Sequence, residues 1–188
     1  MNQKVSYLNL SLRKLLLTEP DSFNKARIKI LYTILIFSIA KILIVIPIIY
    51  QEGQVFQLER ALIMLVIYIG LCKALLIQKS YSLSIAHIMA SFGLVIIWSG
   101  LLVQTINIIL LQFVFMLILS SFYLLNRVYG MVYSVMAILP VILFSIEGNG
   151  LQFHFKRGEI AAPAFEILVV LNFITIVIIH YLYHSAIS

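Results

Sequence analysis

His180 and His184 stand four residues apart near the end of the chain, one above the other on a single helix face. His87 lies about one turn into another apolar run, and Cys72 sits at a similar depth in a third. If those helices adjoin, three imidazoles and a thiol form a workable donor set for zinc, copper or a haem. The same residues also fit other roles: an i, i+4 histidine pair at a membrane interface contacts headgroups, makes interhelical hydrogen bonds or senses pH near neutrality.

A second group belongs to the opposite end of these runs. Lys41 falls past the midpoint of its run, Glu166 lies one turn into the last one, and Glu59, Glu147, Gln104 and Asn107 sit where neighbouring runs begin or end. An ionisable group inside a membrane helix costs roughly 2.5 to 3.5 kcal/mol, so it is expected to face protein or water and to find a partner. An ion pair from Lys41 to Glu166 or Glu59 would cancel much of that cost, and a charged ligand could compete for either member. Lys41, Glu59, Gln104, Glu147 and Glu166 are therefore the candidate ligand site, in an outward-facing cavity, with a structural clamp or a snorkelling lysine as the alternative. The glycine-rich stretch GNGLQFHFKRGEIAAP, at 148–163, reads as the longest external segment, either a lid or a plain connection.

The elements that must position these residues are apolar runs. The chain has 188 residues, 63% hydrophobic and only 11% charged, with a mean hydropathy of +1.10. No water-soluble domain of this length hides so much apolar surface in one core. A helix crossing ~30 Å of hydrocarbon needs about 20 residues. Six runs meet that need, at 28–50, 59–78, 83–103, 107–125, 130–147 and 163–185. Short connections around 104–106 and 126–129 make adjacent runs antiparallel, and the second to fifth runs read as a tight up-and-down series. Gly70, Ala74, Ala86, Ala90, Ser91 and Gly93 would let the second and third approach closely. Pro140 predicts a kink in the fifth.

Basic residues set the orientation. With the N-terminus inside, Lys4, Arg13, Lys14, Lys25, Arg27, Lys29, Lys73, Lys79 and Arg127 are cytoplasmic, against Arg60, Lys156 and Arg157 outside. Before the first run, Val5, Leu8, Leu12, Leu15 and Leu16 recur at helical spacing around Arg13 and Lys14, as in a helix lying on the inner leaflet. Pro20 and Asp21 then break and recap the chain. The expected fold is an all-α membrane protein: a cytoplasmic amphipathic lead helix at 1–20, then a six-transmembrane-helix bundle at 21–188, both termini cytoplasmic.

Several functions are excluded by what the sequence lacks. There is no P-loop, dinucleotide fingerprint, HExxH or nucleophile with an evident base, so nothing recommends an enzyme. The net charge of +6 lies beside apolar runs, which points to lipid headgroups rather than nucleic acid.

With its short basic lead, the entry "FNKARIKILYTILIF", its tight loops and the exit "EILVVLNFITIVIIHYLYHSAI", the layout resembles the N-terminal six-span sensor domain of bacterial sensor histidine kinases, especially of the Bacteroidota type. It is also similar to the six-span membrane anchor of class III adenylyl cyclases. The resemblance implies a sensor or regulatory domain of the bacterial inner membrane whose last helix continues into a dimeric cytoplasmic catalytic domain. It carries no active-site residues onto this chain. The final helix keeps its apolar pattern to Ser188, so the protein is expected to continue beyond it. A small transporter or channel subunit, and a metal or haem protein, are the other classes the sequence leaves open.

Overall fold

The computed structural model describes residues 12–17, 19–103, 106–147 and 162–187. Among them the chain is helical throughout: α1 (Leu12–Leu17), α2 (Ser22–Gln51), α3 (Val55–Ile77), a single 3-10 turn at Lys79–Tyr81, α4 (Ser82–Val103), α5 (Ile108–Leu124), α6 (Arg127–Glu147) and α7 (Ala162–Ile187). Each of the six expected runs lies on one helix. Five helices, α2, α3, α4, α6 and α7, are long and apolar enough to cross a membrane, whereas α5 is apolar but has 17 residues. At 1.5 Å per residue that is about 25 Å, against ~30 Å of hydrocarbon. The lead helix is described only over α1, whose Leu12, Leu15 and Leu16 pack against the core.

Side-chain caps explain where the helices start. Asp21 accepts hydrogen bonds from the backbone N–H of Phe23 and Asn24, at 3.2 Å each, so α2 begins six residues before the apolar run at 28. Asn107 accepts from Leu110 N–H at 2.9 Å and opens α5. Asn126 accepts from Tyr129 N–H at 2.9 Å and opens α6 at Arg127, ahead of the expected 130. Each cap answers backbone donors that a helix start leaves unpaired. Between α2 and α3 the chain reverses through Glu52, Gly53 and Gln54, where Gly53 takes φ +65°, a left-handed conformation that costs any residue with a Cβ.

The packing centres on α2 and α5. The long α2 lies against α3 and α7, and also touches α4 and α5, while α5 is flanked by α4, α6 and α7. Protein therefore replaces lipid around much of α5, whose Ile109, Leu110, Val114, Leu117 and Leu124 are buried. The outer faces are apolar: Leu43, Ile63, Val66, Val95, Val135 and Val177 are all exposed, a pattern that suits hydrocarbon around the bundle and not water. At one end Arg27 ties three helices together. Its Nε donates to the Leu124 carbonyl at 2.7 Å, in the last turn of α5, and its Nη1 donates to Asn24 Oδ1 at 3.0 Å, which also accepts from Ser82 Oγ of α4 at 3.3 Å.

The small residues serve a different seam from the one expected. α3 and α4 meet only lightly, and α3 leans on α2 instead. Gly70 faces open space, whereas a Cβ on Gly93 would lie 3.1 Å from Leu117 and one on Gly100 would lie 2.8 Å from Leu110. The close approach is thus between α4 and α5, because α5 is the buried helix.

A pair of glycine substitutions separates backbone strain from packing. Gly53→Ala meets no atom within 4 Å but forces a Cβ into the left-handed region, and is expected to lower stability by about 1 to 2 kcal/mol. Gly70→Ala, also unobstructed but helical, is expected to leave it unchanged or raised. Thermal unfolding of the two variants in detergent checks the contrast.

Candidate functional site

On α2 the inward stripe runs Leu31, Leu35, Ser38, Lys41, Val45 and Ile49, at the three- and four-residue spacing of one helix face. Lys41 is therefore carried into the bundle by its apolar neighbours, and only 7% of it is exposed. Its Nζ donates to Asn172 Oδ1 of α7 at 3.0 Å. Asn172 is wholly buried, and its Nδ2 donates to Gln112 Oε1 of α5 at 3.2 Å. Gln112 Nε2 then donates to the Val169 carbonyl, one turn back on α7, at 3.1 Å. A single chain of hydrogen bonds thus joins α2, α7 and α5. Among the described residues, every buried side-chain nitrogen and oxygen has a partner.

Two cavities meet at Lys41. The larger, about 160 Å³, extends toward the α2–α3 turn and the start of α5. Its polar lining is Ser38, Lys41, Gln57, Arg60, Asn107 and Asn172, and the rest is apolar, including Ile42, Val45, Met64, Tyr68 and Phe113. The smaller, about 80 Å³, lies on the other side of Lys41, among Ser120, Ser121, Leu125 and Thr175. Ser38, Lys41, Tyr68, Ile96 and Phe113 line both. Among the described residues, the larger cavity carries two cations and no carboxylate.

The structure places the other candidate ligand residues away from Lys41. Glu59 and Glu166 are exposed, and neither lines either cavity. The expected ion pair does not form. A neutral amide of the last helix takes the carboxylate's place, because Lys41 lies about ten residues, or roughly 15 Å, from the end of its helix and the two glutamates sit near the ends of theirs. Asn107 lines the larger cavity as expected of a helix-end residue there. Gln104, the side chain of Glu147 and the 148–161 stretch lie outside the described residues.

Nor does the structure bring the thiol and imidazoles together. His180 Nδ1 lies 3.0 Å from the Tyr123 hydroxyl of α5, and its ring meets His184 edge to face at 4.5 Å. Tyr123 stacks on Tyr183 at 3.7 Å. His87 Nδ1 instead lies 3.3 Å from the Tyr133 hydroxyl of α6, its ring edge-on to Tyr129 at 4.6 Å. Cys72 is buried in the core. Among the described residues no three His, Cys, Asp or Glu groups are placed to share a metal ion. The reason is topological: α5 stands between α4, which carries His87, and α7, which carries His180 and His184.

Sequence reading missed Asn172 and Gln112, although each left a signal. Asn172 is the one amide side chain between Glu166 and His180, and Gln112 the one amide in α5. An amide in so apolar a helix must find a partner across a helix interface.

Breaking the chain at its middle tests its strength. Asn172→Leu orphans both the Lys41 ammonium and Gln112, and is expected to cost about 2 kcal/mol. Adding Lys41→Met removes the orphaned donor and is expected to recover much of that loss. A double-mutant cycle on unfolding in detergent measures the coupling, and additive effects would show the bond to be idle. No family model matches this chain, and no curated protein or solved structure matches it either.

Proposed function

We propose that this chain is the sensing domain of a bacterial inner-membrane signalling protein, crossing the bilayer six times with both ends in the cytoplasm, and that an anion entering the larger cavity is the signal. One observation carries the reading: a buried lysine that has no carboxylate partner among the described residues faces a cavity and is held by an amide of the last helix. An intramembrane cation of this kind is a functional site by default. An anion at Lys41 draws the ammonium toward the cavity and weakens its bond to Asn172, so the ligand and α7 pull on one group. Differential contact of that sort lets binding bias the position of a helix. The signal leaves through α7 to a cytoplasmic catalytic domain, a histidine kinase by resemblance or else an adenylyl cyclase, working as a homodimer. No reaction is assigned to the described residues.

A second reading, a small anion carrier, is favoured by the 80 Å³ cavity that adjoins the first at Lys41. The two differ in flux. A sensor in sealed liposomes passes no anion, whereas a carrier does.

Two measurements test the sensor. Cys72 is buried, so single cysteines introduced near each terminus report their side cleanly. Both are expected to react with an impermeant thiol reagent from the cytoplasmic face, and reaction from opposite faces would overturn the topology. In a Cys72→Ser background, spin labels at Ser80 and Ser185, both exposed, report the position of α7. Asn172→Leu, which frees the ammonium as a ligand would, is expected to move the distance by about 2 Å. An unchanged distribution would remove the link between Lys41 and the last helix.

A further inference from the structure

Three donors converge on the wall between the two cavities. Ser38 lies one turn from Lys41 on α2, and Tyr68 comes across from α3; all three line both spaces. Lys41 has three N–H donors, of which Asn172 engages one. The hydroxyls of Ser38 and Tyr68 make no hydrogen bond among the described residues. Every fully buried side-chain oxygen there has a partner, so these two oxygens are open to the cavity space. Together these donors form a polar cup in the lining that the two cavities share.

The walls and the size limit what fits. Around the cup the larger cavity is apolar, through Ile42, Val45, Met64, Phe113 and Leu168. Its volume of about 160 Å³ is close to the ~150 Å³ of an engineered apolar cavity in another protein that holds one benzene ring. The second cation, Arg60, lies over the Phe56 ring at 5.6 Å. Counted along the helices, it lies roughly 7 Å nearer the α2–α3 turn than Lys41. An anion seated on Lys41 therefore has Arg60 as a more distant cation of the same cavity lining, which raises the local anion concentration. A dianion at Lys41 would keep an uncompensated charge among apolar side chains, at high cost.

We infer that the ligand of this site is a monocarboxylate whose apolar body places about six carbons in the cavity, its carboxylate received by Lys41, Ser38 and Tyr68. This rests on the anion-sensing reading and names its ligand class. The carboxylate can come from water, as a short acid, or from the bilayer, as a fatty acid whose chain leaves through the cavity opening.

Calorimetry and thermal unfolding of the chain in zwitterionic nanodiscs test the inference, with hexanoate and benzoate added from water, palmitate incorporated in the bilayer, and hexanol, hexylamine and inorganic phosphate as comparisons. Hexanoate or benzoate is expected to bind and raise the midpoint, while hexanol and hexylamine do neither. Lys41→Met is expected to abolish the response. Tyr68→Phe and Ser38→Ala, which keep the fold, are each expected to weaken it roughly fivefold to tenfold and carry the comparison if Lys41→Met does not fold. Palmitate acting with the same dependence assigns the source to the bilayer, and the short acids assign it to water; either keeps the inference. Hexanol binding as well as hexanoate, carboxylate binding indifferent to these three residues, or no carboxylate binding overturns it. A response to phosphate but not to carboxylates also overturns it, yet leaves anion sensing standing, whereas failure of the label distance to change removes the sensing reading itself.

Discussion

A polar atom inside a hydrocarbon-embedded bundle has no bulk water to fall back on, and each must be answered by protein or border a cavity. The run from the Lys41 ammonium through Asn172 and Gln112 to the Val169 carbonyl is how this chain meets that demand at its centre. Such bonds contribute little individually, about 0.6 kcal/mol on average between membrane helices. Their effect is on specificity. Apolar helix faces slide past one another at small cost, whereas a lysine and two amides on three helices fix the rotation and depth of α2, α5 and α7 together.

That register is pinned a second time at the end of the bundle where Arg27 caps the last turn of α5 and shares Asn24 with Ser82. A cation at a helix C-terminus meets carbonyls that have no partner within the helix and the negative end of its dipole. Between these two points the 17 residues of α5 are held by the helices around it. Around the polar links the contacts are apolar, through Ile97, Leu101, Leu110 and Leu117.

Helix positions were legible because hydrocarbon thickness imposes a length and a composition that survive in any single sequence. Caps were legible in part: Asp21 and Asn107 announced themselves, while Asn126 lay inside what read as a loop. Neighbour relations were not. The small residues of α4 signalled a close approach but not its partner, since an apolar face carries no address and α3 and α5 offer similar surfaces. Within the site, Lys41 stood out by its cost, but its partner did not. Charge complementarity pointed to Glu59 and Glu166, and the bundle instead used Asn172, which solvates an ammonium without adding a second buried charge. The histidines misled for the matching reason: i, i+4 spacing fixes two side chains on one helix and says nothing of what stands across from them. Tyrosines stood there.

The glycines facing α5 have a mechanical consequence. At Gly93 and Gly100 the α4 backbone comes so near Leu117 and Leu110 that even a methyl group would collide. Interlocking at that range resists sliding between α4 and α5, and α5 also packs closely on α6. α2 and α7 pack at least as extensively, with the Lys41–Asn172 hydrogen bond at one point along their seam. Any displacement of α2 or α7 must therefore carry apolar packing with it as well as break one polar link.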